Sequence, residues 1–142
     1  MDRPDDLRPF GCIGSANVGL VHGMSHALGA RYGVPHGIGN AILLPHVMRF
    51  NAARPEAAKR LADVAVALGA TATNGDPAGA AADRISTLLA ATGHPVKLSE
   101  VRVPKDDLGP CSEVAFLDPA NLYNARMVLG AAEIEELYVR AF

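Results

Sequence analysis

Three of the five histidines in this 142-residue chain, His22, His26 and His36, fall within the stretch GLVHGMSHALGARYGVPHG, residues 19–37. Residues four apart on a helix share a face, so His22 and His26 are neighbours. The same stripe runs through Ser15, Gly19 and Gly29, and these small residues leave room for something to approach the two imidazoles closely. A glycine inside a helix costs up to about 1 kcal/mol relative to alanine, so Gly19, Gly23 and Gly29 require a packing reason. His36 follows a Gly33–Pro35 break and falls in the first turn of the next helix. The positive end of that helix dipole disfavours an imidazolium by about 0.3–1 kcal/mol, which keeps the ring in the neutral form that ligates a metal. A helical histidine pair also occurs as half-exposed surface or as a hydrogen-bonded core pair. The third histidine just past a Gly-Pro turn strengthens the ligand reading. His46, beside Pro45 in an apolar run, reads as a satisfied core histidine, His94 in TGHPV as a solvated one, and the acidic EIEE near the C-terminus as a wet helix face.

The elements that must position this cluster read as helical almost throughout. The first helix is predicted from about Ser15 to Tyr32, with Leu20, Val21, Met24 and Leu28 facing the core and Gly33 and Pro35 ending it. A second is predicted from about Pro35 through GIGNAILLPHVMRFN, kinked at Pro45 because proline removes one ladder hydrogen bond. In PEAAKRLADVAVALGA, Ala57, Leu61, Val64 and Leu68 define an amphipathic face. The next helix opens with Asp76 as N-cap and Pro77 at its first position, and closes at Gly93 and Pro95. Pro104 starts a further helix that Gly109 and Pro110 are predicted to interrupt. In the closing AAEIEELYVRAF, Ile134, Leu137, Tyr138 and Ala141 share a face. No segment alternates apolar and polar over strand length, and no repeat or low-complexity tract is present, so the predicted fold class is all-α.

Size and composition bound the function. The length is that of one domain. A formal charge of −2 gives no electrostatic reason to expect nucleic acid or an anionic membrane as partner. Cys12 and Cys111 lie far apart, make no metal-binding spacing, and read as two free thiols in a reducing compartment. The polar start MDRPDDLRPF lacks the apolar run of a signal peptide, and no apolar stretch is long enough to span a bilayer. A cytoplasmic protein is expected.

The stretch VGLVHGMSHALGARYGVPHGIGNAILLPHVMRFN, residues 18–51, resembles the signature of the iron-containing (group III) alcohol dehydrogenases. LSEVRVPKDDL and NLYNARMVLGAAEIEELYVRAF are similar to the family's later segments in order and spacing. The resemblance covers residues 14–142, after a divergent polar segment over residues 1–13. It implies the helical C-terminal domain of the iron-containing alcohol dehydrogenase and dehydroquinate synthase-like fold. It further implies that His22 and His36 bind a divalent metal, Fe²⁺ or alternatively Zn²⁺, and that His26 lies beside it and handles a proton. The metal would act on a small alcohol or aldehyde while hydride passes to or from a nicotinamide.

The family's metal takes two further ligands, an aspartate and a histidine four residues later, and no Asp-x-x-x-His occurs in this sequence. The nearest approach to a dinucleotide loop, GIGNAI at residues 37–42, fails the last glycine and follows no strand. NAD(P) is therefore expected only where a nucleotide-binding domain is supplied elsewhere. Either that missing N-terminal domain or a second copy in a homo-oligomer is the expected partner. NAR, residues 124–126, stands where an Asn-Pro-basic triplet is usual. Three functions are compatible with these features: the C-terminal part of an iron-dependent alcohol dehydrogenase, a non-catalytic helical relic or split-enzyme subunit, and a small metallohydrolase with His22, His26 and His36 as a three-histidine site.

Overall fold

In the computed structural model of the chain, residues 18–72 and 75–142 are described. They form six α-helices and no strand: α1 Leu20–Tyr32, α2 His36–Asn51, α3 Pro55–Ala67, α4 Pro77–Ala91, α5 Leu108–Phe116 and α6 Ala131–Arg140. Short 3₁₀ turns occupy Leu98–Val101, Lys105–Asp107 and Pro119–Tyr123. The fold is all-α, as the periodicity predicts, and no helix among the described residues is long and apolar enough to cross a membrane.

Among the described residues helix α1 begins at Leu20; the expected start at Ser15 lies outside them, as does Cys12. Gly19 is its extended N-cap, and the Leu20 N–H is met by Asn124 Oδ1 at 3.3 Å, from 104 residues further along the chain. At the other end Gly33 takes a left-handed φ of 67° and donates its N–H to Gly29 O at 3.0 Å. That is the conformation glycine adopts without a Cβ penalty. Pro35 then serves as N-cap of α2, with the N–H groups of Ile38 and Gly39 both bonded to its carbonyl. The chain therefore turns back on itself within three residues, and α2 packs against α1.

The two helices meet where their side chains are smallest. A Cβ on Gly39 would lie 2.5 Å from Ser25 Oγ, and that hydroxyl donates to His36 O at 3.0 Å. Around this crossing, Leu20, Met24 and Leu28 of α1 and Ile42, Leu43 and Val47 of α2 form the main core with Leu108, Cys111 and Ala115 of α5. Helix α6 closes it with the predicted face of Ile134, Leu137, Tyr138 and Ala141, all buried. The Tyr138 hydroxyl donates to Met24 O at 2.7 Å, so the largest buried ring carries a satisfied polar atom. Cys111 is buried in this core without a disulfide to any described residue, and burial pushes its thiol pKa up.

Pro45 lies inside α2, which runs on through it. Other local expectations are corrected. Gly109 and Pro110 open α5 rather than interrupting it, because a proline in the first helical turn forfeits an N–H that has no intrahelical acceptor anyway. On α3 the buried residue is Ala65, whereas Val64 is 38% exposed. A second, smaller core of Met48, Ala65, Ala81 and Ala82 joins α2, α3 and α4, and small residues at that contact let the helix backbones come close. The Asp76 cap is as predicted, with Oδ1 accepting the Gly79 N–H at 2.9 Å. His46 is half-buried instead of lying in the core, and His94 is also half-buried, with Nδ1 2.7 Å from Pro95 O.

Two outcomes follow from this packing. Gly39→Ala should destabilise the protein by about 1–3 kcal/mol in urea unfolding, because the methyl overpacks the α1–α2 crossing and displaces Ser25 Oγ; an unchanged or higher midpoint would contradict the close approach. Burial, aided by Arg49 and Arg140, lowers the His46 pKa below the ordinary imidazole value. The unfolded chain then binds the proton more readily, so this stability is present above about pH 6.5 and is lost as pH falls through the folded value. Melting temperature should fall between about pH 7.5 and 5, and His46→Gln should reduce the fall.

Candidate metal centre

The elbow at Gly33–Pro35 returns His36 to the side of His22. Their ring nitrogens, His22 Nδ1 and His36 Nε2, are 3.0 Å apart. The His26 ring stacks on that of His36 with centroids 5.0 Å apart, and one ligand nitrogen from each of the three histidines lies within 4.8 Å of the others. His22 is half-buried, while His26 and His36 are exposed. His46 and His94 are not part of the cluster.

The donor set fits a divalent transition metal. Two nitrogens bound at about 2.1 Å to one ion and at right angles are about 3.0 Å apart, the separation of His22 and His36. Without an ion, two nitrogens at that distance need a proton between them. Asn40 Nδ2 also lies 3.0 Å from His36 Nε2, so with the amide assigned this way that nitrogen presents its lone pair to donors. Asn40 Oδ1 is buried with no hydrogen-bond partner among the described residues. Burial, then the neighbouring His36 and His26, lowers the His22 pKa, with Asp118 opposing more weakly. The neutral, ligating form is the result.

The glycines that were expected to make room for a ligand instead make room for the chain's own later segment. A Cβ on Gly19 would lie 3.0 Å from Asn124 Oδ1, and one on Gly23 2.7 Å from Asn121 Oδ1 and 3.2 Å from Asp118 Cβ. That segment brings in a residue the sequence reading missed. Asp118 Oδ2 lies 2.9 Å from His26 Nδ1, and its Oδ1 accepts the Ala120 N–H at 2.8 Å. Burial pushes the Asp118 carboxyl up, but the Ala120 N–H and the His26 ring outweigh it and hold the pKa below the usual carboxylate value. An Asp-Pro step is a legible N-cap signal; the partner 92 residues away is not. Beside Asp118 a cleft of ≈ 670 Å³ is lined by Phe116, Leu117, Leu122 and Met127 among others.

The described residues thus bring three imidazoles onto one surface of an all-helical domain, with a carboxylate behind one of them. The chain belongs to the Fe-containing alcohol dehydrogenase family, whose C-terminal part is matched over residues 11–142. It is similar to the 1,3-propanediol dehydrogenase of Citrobacter freundii, 39% identical over 133 residues that cover 90% of this chain and 33% of that protein. It is also similar to the lactaldehyde reductase of Escherichia coli K12, 38% identical, covering 92% of this chain and 35% of that protein. Among solved structures, a 1,3-propanediol oxidoreductase superposes with a TM-score of 0.79 at 37% identity, covering 89% of this chain and 33% of the other. An alcohol dehydrogenase from Oenococcus oeni does so with 0.80 at 29% identity, covering 92% of this chain and 34% of the other. The chain thus spans about one third of the length of the curated relatives it matches.

Proposed function

We propose that this chain is the metal-binding helical part of an iron-dependent alcohol dehydrogenase, with His22 and His36 as two ligands of a divalent metal, Fe²⁺ or Zn²⁺. The observation that carries the reading is the 3.0 Å approach of His22 Nδ1 to His36 Nε2 on two packed helices. When bound, the metal would polarise the oxygen of a small alcohol or aldehyde during NAD(P)-linked oxidation or reduction. In this reading His26, half-exposed beside the pair, exchanges the proton. Residues 14–142 form one metal-binding unit, the two remaining ligands come from an earlier helix of the family's pattern, and the nicotinamide site comes from a nucleotide-binding domain, on the same polypeptide or a separate one.

The cluster also supports a three-histidine site, since all three imidazoles converge. A hydrolytic version needs a free carboxylate base. Asp118, the carboxylate at the cluster, is paired with the His26 ring through Oδ2 and with the Ala120 N–H through Oδ1, an arrangement that supports His26 and does not present a free base.

Calorimetric titration with Zn²⁺ distinguishes these readings. The parent should bind weakly, and less tightly below about pH 6.5, because protonated imidazoles do not ligate. His22→Ala and His36→Ala should each weaken binding about tenfold or more, about 1.4 kcal/mol, with His26→Ala affecting it less. Parent-like binding in both ligand variants would overturn the assignment; an equal loss in His26→Ala would establish the three-histidine site. The 142-residue polypeptide alone should not turn over ethanol, propanediol or lactaldehyde with a nicotinamide cofactor and Fe²⁺. These residues supply no phosphate-binding loop and only two of the four ligands, and positioning and preorganised charge are the main sources of rate. Reduced-nicotinamide absorbance that rises with the parent and not with His22→Ala would defeat that expectation.

A further inference from the structure

We propose that Asp118 is the positioning residue of His26, fixing that ring in the Nδ1–H tautomer and leaving Nε2 as the proton-accepting nitrogen of the histidine cluster. The contact is direct, with Asp118 Oδ2 2.9 Å from His26 Nδ1. An ionised carboxylate only accepts hydrogen bonds, so the shared proton sits on Nδ1. The hydrogen bond at one ring nitrogen decides which tautomer the imidazole adopts.

The carboxylate is held by contacts that do not depend on His26. Asp118 caps the Pro119–Tyr123 turn, and its Oδ1 accepts the Ala120 N–H at 2.8 Å. Pro119 restricts the backbone at the first position of the turn. Asn121 Nδ2 donates to Ala115 O at 2.7 Å and to Phe116 O at 3.2 Å, which ties the turn to the end of α5. Gly23 completes the arrangement, because a Cβ there would lie 3.2 Å from Asp118 Cβ. The helix that carries His22 and His26 is therefore bare at the point where the aspartate comes in.

The consequence is a division of labour within one ring. Nδ1 orients and Nε2 reacts. In the reaction proposed above, on which this functional role rests, Nε2 is the nitrogen that would take a proton from the substrate hydroxyl in oxidation and return it in reduction, the hydride chemistry being what a bound nicotinamide would supply. The imidazolium so formed stays paired with Asp118 through a charge-assisted bond. The His26 side chain is 49% exposed, which gives the proton a route to water.

The tautomer can be read without metal or activity, from long-range ¹H–¹⁵N spectra of the ring nitrogens at about pH 8.5, where imidazoles of ordinary pKa are neutral. The parent should show His26 with a protonated Nδ1 and a pyridine-type Nε2. Asp118→Ala should move it to a majority Nε2–H form, and Asp118→Asn, whose amide oxygen still accepts from Nδ1–H, should restore most of the parent pattern. A parent that is mainly Nε2–H, or an Asp118→Ala spectrum that matches the parent, overturns the proposal. If Asp118→Ala fails to fold, the parent and the Asn variant decide it. Adding Zn²⁺ to the same samples should shift the His22 and His36 nitrogens. Failure of that shift would overturn the metal reading while leaving the His26 tautomer as measured.

Discussion

Helix α1 is the element the rest of the domain is built against, and it is built for close approach. At Ser25 it admits Gly39 of α2, at Gly23 the Asp118–Asn121 turn, and at Gly19 the side chain of Asn124. In each case the space a Cβ would need is already taken by a polar side chain. A glycine in a helix interior gives up as much as about 1 kcal/mol relative to alanine. What offsets it is that three separate parts of the chain come within hydrogen-bonding range of one helix. His22 and His26 project from the same two turns, so their positions are set by contacts on either side of them.

A polar network fixes the far end of this arrangement. Asn51, the last residue of α2, and Asn124 bond to each other through both side-chain amides, at 2.7 and 3.3 Å. Asn124 Oδ1 also meets the Leu20 N–H, and its Nδ2 reaches Arg126 O. Arg126 lies 3.9 Å over the Phe50 ring, donates to Phe50 O, and pairs with Glu133 of α6 at 3.1 Å. One connection thus ties the start of α1, the end of α2 and the start of α6. The Ala125 carbonyl, in the NAR triplet, accepts from Arg54 at 2.9 Å. The loop's geometry is held by side-chain hydrogen bonds and does not depend on a rigid ring at that position.

Much of this was legible because it is local. The His22–His26 spacing, the Gly33–Pro35 elbow, the Asp76 cap and the apolar face of α6 are each decided by residues within a turn or two. Apart from Pro110, whose place in the first turn of α5 is a local matter, the misreadings come from the tertiary neighbour. Spacing from Leu61 and Leu68 placed Val64 on the core face, yet the contact with α4 is lined by Ala81 and Ala82, and Ala65 is what fits there. The glycine stripe was correctly read as a place of close approach, but the sequence could not say that the approaching group is the chain itself. The Asp118–His26 contact spans 92 residues and follows no periodicity. It exists only once α5 and the Pro119–Tyr123 turn have been laid across α1.

The electrostatics of the cluster and its ligand chemistry are the same fact. Three imidazoles whose nitrogens lie within 4.8 Å cannot all carry charge cheaply, and the lowered pKa of His22 records burial and its two neighbours together. At His22 the burial and close packing therefore favour the neutral form. A solitary exposed histidine would gain no such bias. The arrangement also separates position from affinity. In the metal reading proposed above two or three imidazoles would place an ion, but catalytic metal sites normally hold three or more protein ligands, and the exposed flank formed by His26 and His36 leaves one side of the cluster open. What this domain contributes is geometry, held by glycine contacts and amide pairs before any ion is present. The tightness of a working site depends on what covers that open side.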